Sequence, residues 1–326
     1  MIKIQTKKIN FFNIIYVSLL LVCIILVVAL PKLSIKTFYQ GLIIWATKVL
    51  PALLPFLILT KLLSYTSFLK ILGKYLSPIT QKLYGVGGVA GYVYIMSIVS
   101  GYPIGAKLTS DLYSSRTISR GQAVAITSFC STSGPLFILG TVAISMYNSS
   151  KIGVIILVCH IIGAMLNGLI YRNRDKSETF ALQFSSPTNA LSESMTSSLL
   201  SIMTIGGFIA IFYMFLQIIL QANIISPLCH LLENLGVSSG VTQGVFSGLI
   251  EVTSGCLLLS ETSLSPNLLT IISTFLISFG GLSIHAQAYC YLKNFDMSYS
   301  KFLLQKVTQA VISTILAFLC TLFITI

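Results

Sequence analysis

The sequence is poor in charged residues, and above all in acidic ones. Only 9% of its 326 residues are charged, with 8 acidic residues against 20 basic ones. Soluble domains carry about 25% charged residues, whereas 55% of this chain is hydrophobic and its mean hydropathy is +0.91. The composition excludes an ordinary soluble protein. It predicts an all-α polytopic membrane protein that leaves little chain for a soluble domain.

Other absences exclude several classes of function. The seven cysteines form no CxxC pair, and the three histidines are far apart in sequence, so we expect neither a disulfide framework nor a metal site. No Walker loop, HExxH or GxSxG motif is present, so we expect no enzyme, no catalytic residues and no cofactor. The net charge is +12, and the basic residues lie between apolar runs. This placement predicts contact with anionic lipid and excludes nucleic acid as a partner.

Apolar runs predict about seven transmembrane helices. Residues 11–30 form the first, which is too long for a signal peptide and reads as an uncleaved helix. Residues 1–40 are therefore taken as an N-terminal transmembrane helix and loop. The other predicted spans are residues 41–63, 121–147, 152–171, 199–222, 268–292 and 302–326. Two shorter amphipathic segments, residues 68–84 and 224–235, are expected to lie in the membrane interface.

Two further segments are apolar but interrupted by glycine and hydroxyl residues. Residues 85–113 break at Ser100-Gly101-Tyr102-Pro103, and residues 237–261 break around Glu251. Two short apolar halves joined by such a break predict a re-entrant helical hairpin. The spans at 121–147 and 268–292 are also broken, near residues 128–135 and 278–283.

The order span, interfacial helix, hairpin, broken span, span occurs twice. It divides the chain into repeat 1 (41–171), a polar cytoplasmic loop (172–198) and repeat 2 (199–326). Four dipeptide anchors support a duplication at offsets of 150 to 154 residues: Pro55-Phe56 with Gly207-Phe208, Gly85-Val86 with Gly236-Val237, Ser100-Gly101 with Ser254-Gly255, and Ser128-Phe129 with Ser278-Phe279. Three spans in each copy predict an inverted repeat.

Basic residues predict a cytoplasmic N-terminus. With that orientation, three basic residues lie outside, Lys32, Lys36 and Lys151, and Lys48 lies within a span. Sixteen lie inside: Lys3, Lys7, Lys8, Lys61, Lys70, Lys74, Lys82, Lys107, Arg116, Arg120, Arg172, Arg174, Lys176, Lys293, Lys301 and Lys306. This bias agrees with the positive-inside rule.

The breaks are the candidate substrate site. Broken helices near the membrane midplane expose helix ends that bind ions and substrates. Predicted substrate-binding residues are Ser100, Gly101, Ser131, Thr132, Ser133, Thr253, Ser254, Gly255, Ser283 and Gln287. The alternative interpretation of the stretch 127–135 is a kinked packing helix with small residues at its interface.

Two ionisable residues are predicted as a coupling or polar site, Glu251 and His285. A carboxylate in an apolar segment is costly, so Glu251 is a candidate for coupling to H⁺ or Na⁺. The alternative is a protonated Glu bonded to a neighbouring helix, and His285 could equally be a packing residue. Lys107 follows the first hairpin break and is expected to extend to the cytoplasmic surface.

The motifs at residues 100–107 and 128–137 resemble the YlbJ (SpoVV) family of sporulation integral membrane proteins. That family belongs to the nucleoside-recognition Gate group, which is similar to concentrative nucleoside transporters in its hairpins and broken helices. The resemblance covers residues 41–326. It implies a role in endospore formation, as a secondary transporter that moves dipicolinic acid from the mother cell across the outer forespore membrane.

Two other functions stay open on the residues alone. One is a transporter of nucleosides or other small anions, and the other is a membrane scaffold for spore assembly that transports nothing. The expected partners are the lipid bilayer and a small anionic substrate. A homo-oligomer is left open.

Overall fold

The computed structural model describes residues 11–66, 68–173 and 189–324, and every regular element within them is helical. The predicted all-α class is confirmed. Lys3, Lys7, Lys8, Arg174 and Lys176, which support the predicted orientation, lie outside the described residues. The α-helices, in chain order, are α1 Phe11–Ala29, α2 Pro31–Ile44, α3 Leu50–Ser64, α4 Phe68–Tyr84, α5 Val89–Ser100, α6 Ile104–Ser114, α7 Arg120–Cys130, α8 Ser150–Ile170, α9 Ala190–Gln221, α10 Ser226–Glu233, α11 Ser239–Ile250, α12 Val252–Ser260, α13 Pro266–Phe279, α14 Gly281–Leu292 and α15 Tyr299–Phe323.

The segment after α1 is helical, so the prediction of a loop up to residue 40 is wrong. Pro31 occupies the first turn of α2, where its missing N–H costs nothing. The chain bends by 105° between the end of α1 and α2. A π-helical segment, Trp45–Val49, then joins α2 to α3.

Helix α9 begins at Ala190, nine residues before the predicted span, so the polar loop is shorter than expected. Residues 174–188 of that loop lie outside the described ranges. α9 packs against α2 and α3. Trp45 donates a hydrogen bond of 3.1 Å from Nε1 to the carbonyl of Ile202. A Cβ at Gly206 would lie 2.6 Å from the Trp45 ring, so a small residue is needed there.

Both predicted hairpins are present. Hairpin 1 consists of α5 and α6, separated by residues 101–103, and hairpin 2 consists of α11 and α12, which meet at Glu251. The two arms of each hairpin pack against each other. α4 has the predicted bounds and meets α5 at 93°, while the second amphipathic segment is the shorter α10.

Both broken spans are also present. Broken span 1 consists of α7, an irregular stretch at residues 131–134, and a π-helical segment, Leu136–Met146. Broken span 2 consists of α13 and α14, separated at Gly280. Gly280 adopts φ +92°, a left-handed conformation that favours glycine and ends α13. The spans that follow are α8 and α15.

The element order of repeat 1 recurs in repeat 2, but one of the sequence anchors is wrong. Ser100-Gly101 ends the first arm of hairpin 1, whereas Ser254-Gly255 lies inside the second arm of hairpin 2. The residue that ends the first arm of hairpin 2 is Glu251. Gly101 and Glu251 are therefore the equivalent positions, at an offset of 150 residues. Gly85 and Gly236 do correspond, because both precede a hairpin with positive φ.

Each hairpin has its own hydrophobic core. Hairpin 1 packs with α7, and its core includes Tyr92, Ile126 and Phe129. Hairpin 2 packs with the π-helical segment, α8 and α13. Large apolar side chains such as Val28 and Ile35 are exposed on the outside, as expected of a lipid-facing surface.

Four described helical segments, α8, α9, residues 266–295 and α15, are long and apolar enough to cross a membrane, and bent pairs raise the number to six at most. The chain is an integral membrane protein in contact with lipid. Two of the seven predicted spans, residues 41–63 and 121–147, are not among these four segments, because each is divided into shorter helical pieces. One bent pair joins α4 to α5, the predicted interfacial helix and first hairpin arm.

Candidate functional site

The tip of hairpin 1 touches the break of broken span 1 through backbone atoms. Gly101 ends α5 with φ +74°, and its N–H donates to the carbonyl of Ser97 over 2.8 Å. A Cβ at Gly101 would lie 2.7 Å from the backbone nitrogen of Gly134. Both the positive φ and the close approach therefore favour glycine at this position.

Hydroxyl groups fix the break of broken span 1 against hairpin 1. The hydroxyl of Ser97 donates to the carbonyl of Cys130, the last residue of α7, and lies 2.8 Å from the hydroxyl of Thr132. A Cβ at Gly105 would overlap the same Cys130 carbonyl. Small and hydroxyl residues thus let α5 and α6 satisfy a helix end that lipid could not.

The tip of hairpin 2 is capped by an acidic side chain. Glu251 is the N-cap of α12, and its Oε1 accepts the N–H of Thr253 over 3.0 Å. Its Oε2 accepts the N–H of Ser254 over 2.7 Å and the hydroxyl of Ser254 over 2.8 Å. Three donors to the two oxygens match an ionised carboxylate, and the positive end of the α12 dipole also stabilises the negative charge. In the part of the chain that the structure describes, no basic side chain forms an ion pair with Glu251.

His160 on α8 connects the two broken spans. The backbone N–H of Ser133 donates to its Nε2 over 2.8 Å, and its Nδ1 lies 2.8 Å from the hydroxyl of Ser278. Because the amide donates to Nε2, the ring proton is on Nδ1 and donates to Ser278. A fully buried imidazole with two such partners holds the breaks at a fixed separation.

One cavity of about 370 Å³ is lined by both hairpin tips and both broken spans. Seven of the predicted site residues line it: Ser100, Gly101, Ser133, Glu251, Thr253, Ser283 and Gln287. Apolar residues from α9 and the broken spans, including Ile205, Phe137 and Ile284, form the remaining walls. A few polar groups within an apolar enclosure of this size are typical of a small-molecule site.

The other predicted site residues lie behind this lining. Ser131 and Thr132 are buried at the break, and Ser254 bonds to Glu251. Gly255 lies against the backbone of α11, where a Cβ would overlap Gly248. His285 has both ring nitrogens engaged, with Nε2–H donating to the carbonyl of Phe279 over 2.8 Å and Nδ1 accepting from the hydroxyl of Tyr299 over 3.2 Å.

The polar groups of the cavity are mostly hydroxyl and amide groups. The hydroxyl of Ser100 is buried and has no hydrogen-bond partner among the described residues. Glu251 supplies the single carboxylate of the described lining, and no described lining residue is basic. An anion here would meet hydroxyl donors together with one negative charge.

Sequence reasoning missed Lys306, which it placed in a cytoplasmic segment. Lys306 lies within α15 and is only 1% exposed. Its Nζ donates to the hydroxyl of Tyr102 over 2.6 Å, to the carbonyl of Ser131 over 2.9 Å and to Oε1 of Gln309 over 2.7 Å. The signal was a lysine four residues after the start of the predicted span 302–326, where averaging of hydropathy over the span concealed it.

Lys107 also differs from expectation. It does not extend freely to the surface, because its Nζ donates to the hydroxyl of Ser197 over 3.1 Å and to that of Ser201 over 2.6 Å, both on α9. This pair of contacts ties hairpin 1 to α9, outside the cavity lining.

Comparison with known proteins identifies the family of this chain. A family model described as Gate, nucleoside recognition, matches residues 46–215. The chain belongs to the nucleoside-recognition Gate family. The sporulation integral membrane protein YlbJ of Bacillus subtilis (strain 168) is 30% identical to this Gate protein in an alignment 321 residues long. The alignment covers 90% of this chain and 79% of YlbJ. The resemblance seen in residues 100–107 and 128–137 is confirmed.

A solved structure of a double variant of CNTnw in an outward-facing state is also similar to the Gate protein. The TM-score is 0.45 at 17% sequence identity, and the match covers 84% of this chain and 76% of CNTnw. The Gate match contains hairpin 1 and broken span 1 in full, and it ends within α9, before hairpin 2 begins.

Proposed function

We propose that this Gate protein is a secondary transporter used in endospore formation and that it carries dipicolinic acid. The observation behind the proposal is the cavity that two hairpin tips and two broken spans share. Relatedness to a sporulation membrane protein supplies the biological setting. The proposed location is the outer forespore membrane, with the substrate arriving from the mother cell.

The cavity suits a flat aromatic dianion. The side chains of Phe137, Ile205 and Ile284 provide apolar walls for a ring. The hydroxyls of Ser100, Ser133, Thr253 and Ser283 and the amide of Gln287 provide donors for carboxylates. The hydroxyl of Ser100 is buried and has no partner among the described residues, so a carboxylate that reaches it would not compete with another hydrogen bond.

The position of Glu251 favours a mechanism in which transport of the substrate is coupled to an ion. Its carboxylate lines the same cavity and would repel a dianion bound there. A proton or Na⁺ that binds with the substrate removes the repulsion, so the substrate and the coupling ion would bind together. The coupling ion of the proposal is H⁺ or Na⁺ at Glu251.

The test is uptake of labelled dipicolinate into proteoliposomes that contain the purified full-length protein, under imposed pH and Na⁺ gradients. We expect saturable uptake that an ion gradient increases. Ser100→Ala should raise the apparent KM at least about tenfold, since one hydrogen bond to a charged group is worth about 1.5–3 kcal/mol. Ser145→Ala, at an exposed position of the same broken span 1, is the matched control and should leave uptake unchanged.

The same assay separates the alternatives. Uptake of nucleosides, or their competition with dipicolinate, would identify a nucleoside carrier in place of a dipicolinate carrier. Absence of flux for either compound, with folded protein in the membrane, would favour a scaffold role in spore assembly. A fluorescent fusion followed during sporulation tests the forespore location separately from the substrate.

A further inference from the structure

A buried ammonium lies at the junction between hairpin 1 and broken span 1. The three oxygens that accept hydrogen bonds from Lys306 come from a hydroxyl, a backbone carbonyl and a side-chain amide, and all three are neutral. No described acidic residue forms an ion pair with Lys306. A lysine this deeply buried without an acid is costly in a membrane, and such residues are functional candidates by default.

The geometry around Lys306 is that of a bound cation. Ser131 is the C-cap of α7, so its carbonyl lies at the negative end of the helix dipole. The Nζ atom lies at the hydroxyl end of the Tyr102 ring, 2.6 Å from the hydroxyl oxygen and 4.7 Å from the ring centroid. Carbonyl oxygens of interrupted helices are the groups with which transporters coordinate Na⁺.

The amide of Gln309 is oriented to accept a hydrogen bond from a positive charge. Lysine only donates hydrogen bonds, so the oxygen of the Gln309 amide must face Nζ. Nε2 of the same amide then remains buried without a partner among the described residues. The amide oxygen of Gln309 therefore accepts a hydrogen bond from the ammonium, while the amide N–H groups lack a partner.

We propose that Lys306 is a tethered cation that occupies a monovalent-cation site between hairpin 1 and broken span 1. Its ammonium holds Tyr102 of hairpin 1 against Ser131 of broken span 1, so no dissolved ion is bound at this junction. Movement of hairpin 1 away from broken span 1 must break the contact between Lys306 and Tyr102. The proposal concerns this junction and does not depend on the identity of the substrate.

The experiment measures the thermal unfolding midpoint of the purified full-length protein in detergent, in NaCl and in choline chloride at equal ionic strength. All proteins also carry Glu251→Gln, so that an ion held at Glu251 does not contribute. With Lys306 present, we expect the same midpoint in both salts. Lys306→Ala should acquire a midpoint that rises with NaCl concentration and saturates, because Na⁺ can enter the vacated oxygen site.

Three further variants complete the design. Lys306→Met fills the space without charge, and it should lower the midpoint without a response to Na⁺. Lys306→Arg should recover part of that loss. Lys107→Met removes a partly buried lysine of hairpin 1 that lies outside the cavity, and it should show no response to Na⁺.

Three results would overturn the proposal. The first is a folded Lys306→Ala protein whose midpoint does not rise with NaCl, since the vacated oxygens would then form no cation site. The second is a Na⁺-specific rise in the protein that keeps Lys306, a measurement that requires no change at this residue and stands even where Lys306→Ala does not fold. The third is a Lys306→Met protein as stable as its parent, since the ammonium would then hold nothing together. Failure of dipicolinate uptake bears on the proposed substrate and leaves this test unaffected.

Discussion

Replacement of Glu251 by glutamine tests the cap of hairpin 2 and the coupling role together. The buried carboxylate accepts three hydrogen bonds from the first turn of α12. Each hydrogen bond to a charged group contributes about 1.5–3 kcal/mol. A charged residue at the centre of a membrane helix costs about 2.5–3.5 kcal/mol. The three bonds outweigh this cost, which explains why an ionised acid is tolerated here.

The glutamine variant keeps only part of this cap. Its single oxygen can accept both donors of Ser254, but its NH₂ group then faces the N–H of Thr253. One charge-assisted hydrogen bond is lost, worth about 2 kcal/mol. The interaction of the charge with the helix dipole is lost as well, worth about 1 kcal/mol. We expect Glu251→Gln to lower the unfolding free energy by about 3 kcal/mol, and Glu251→Asp, which keeps the charge, to lose less.

The measurement is the thermal unfolding midpoint in detergent, followed by uptake in proteoliposomes well below the midpoint of the least stable variant. Glu261→Gln is the matched control, because Glu261 is exposed at the opposite end of α12. It should not destabilise, since a negative charge at a helix C-terminus is unfavourable. In uptake, Glu251→Gln should be inactive or lose its dependence on the ion gradient.

Two outcomes would refute this reasoning. A Glu251→Gln protein within about 0.5 kcal/mol of the wild type would show that the carboxylate is not an important cap. A folded Glu251→Gln protein with unchanged flux, and with unchanged pH and Na⁺ dependence, would remove Glu251 from the coupling mechanism. The first outcome concerns only the cap and the second only the coupling role, so each can occur without the other.

Two packing predictions use the same unfolding assay. Gly105→Ala should lower the unfolding free energy by about 3 kcal/mol, because its Cβ overlaps the Cys130 carbonyl and forces hairpin 1 away from broken span 1. Gly207→Ala is the control, and it should be neutral or stabilising because a Cβ there has no atom within 4 Å. A destabilisation no greater than that of the control would contradict the close contact. His160→Leu should cost about 3 kcal/mol, since it leaves the Ser133 N–H and a serine hydroxyl without their partner, and an unchanged midpoint would mean that His160 does not hold the breaks.

Local sequence signals predicted the hairpins and the broken spans well. The sequence around Gly101 and around Glu251 interrupts apolar runs with groups that lipid cannot satisfy, so the breaks follow from backbone hydrogen bonding. The bounds of α4 also follow from its pattern of lysines and leucines. Boundaries were less certain where hydropathy alone decided them, as at the starts of α2 and α9.

Residue pairings across the repeats were not predictable from short anchors. The dipeptide at Ser254 suggested an equivalence with Ser100, whereas the turn of hairpin 2 occurs at Glu251. Glu251 and Gly101 both end the first arm of a hairpin, Glu251 by capping the next helix and Gly101 through its positive φ. The two side chains have no similarity that a sequence match would detect.

Composition and local pattern determined that this chain is a helical membrane protein with two hairpins and two broken spans. Those properties depend on hydropathy and on which residues interrupt a helix, and both are local. Only the tertiary structure decided which interruptions share one cavity, because Ser131 and Thr132 lie as close in sequence to the break as Ser133 does. Only the tertiary structure placed Lys306 beside Ser131, since 175 residues separate them and no local pattern links a lysine on α15 to an open carbonyl on α7.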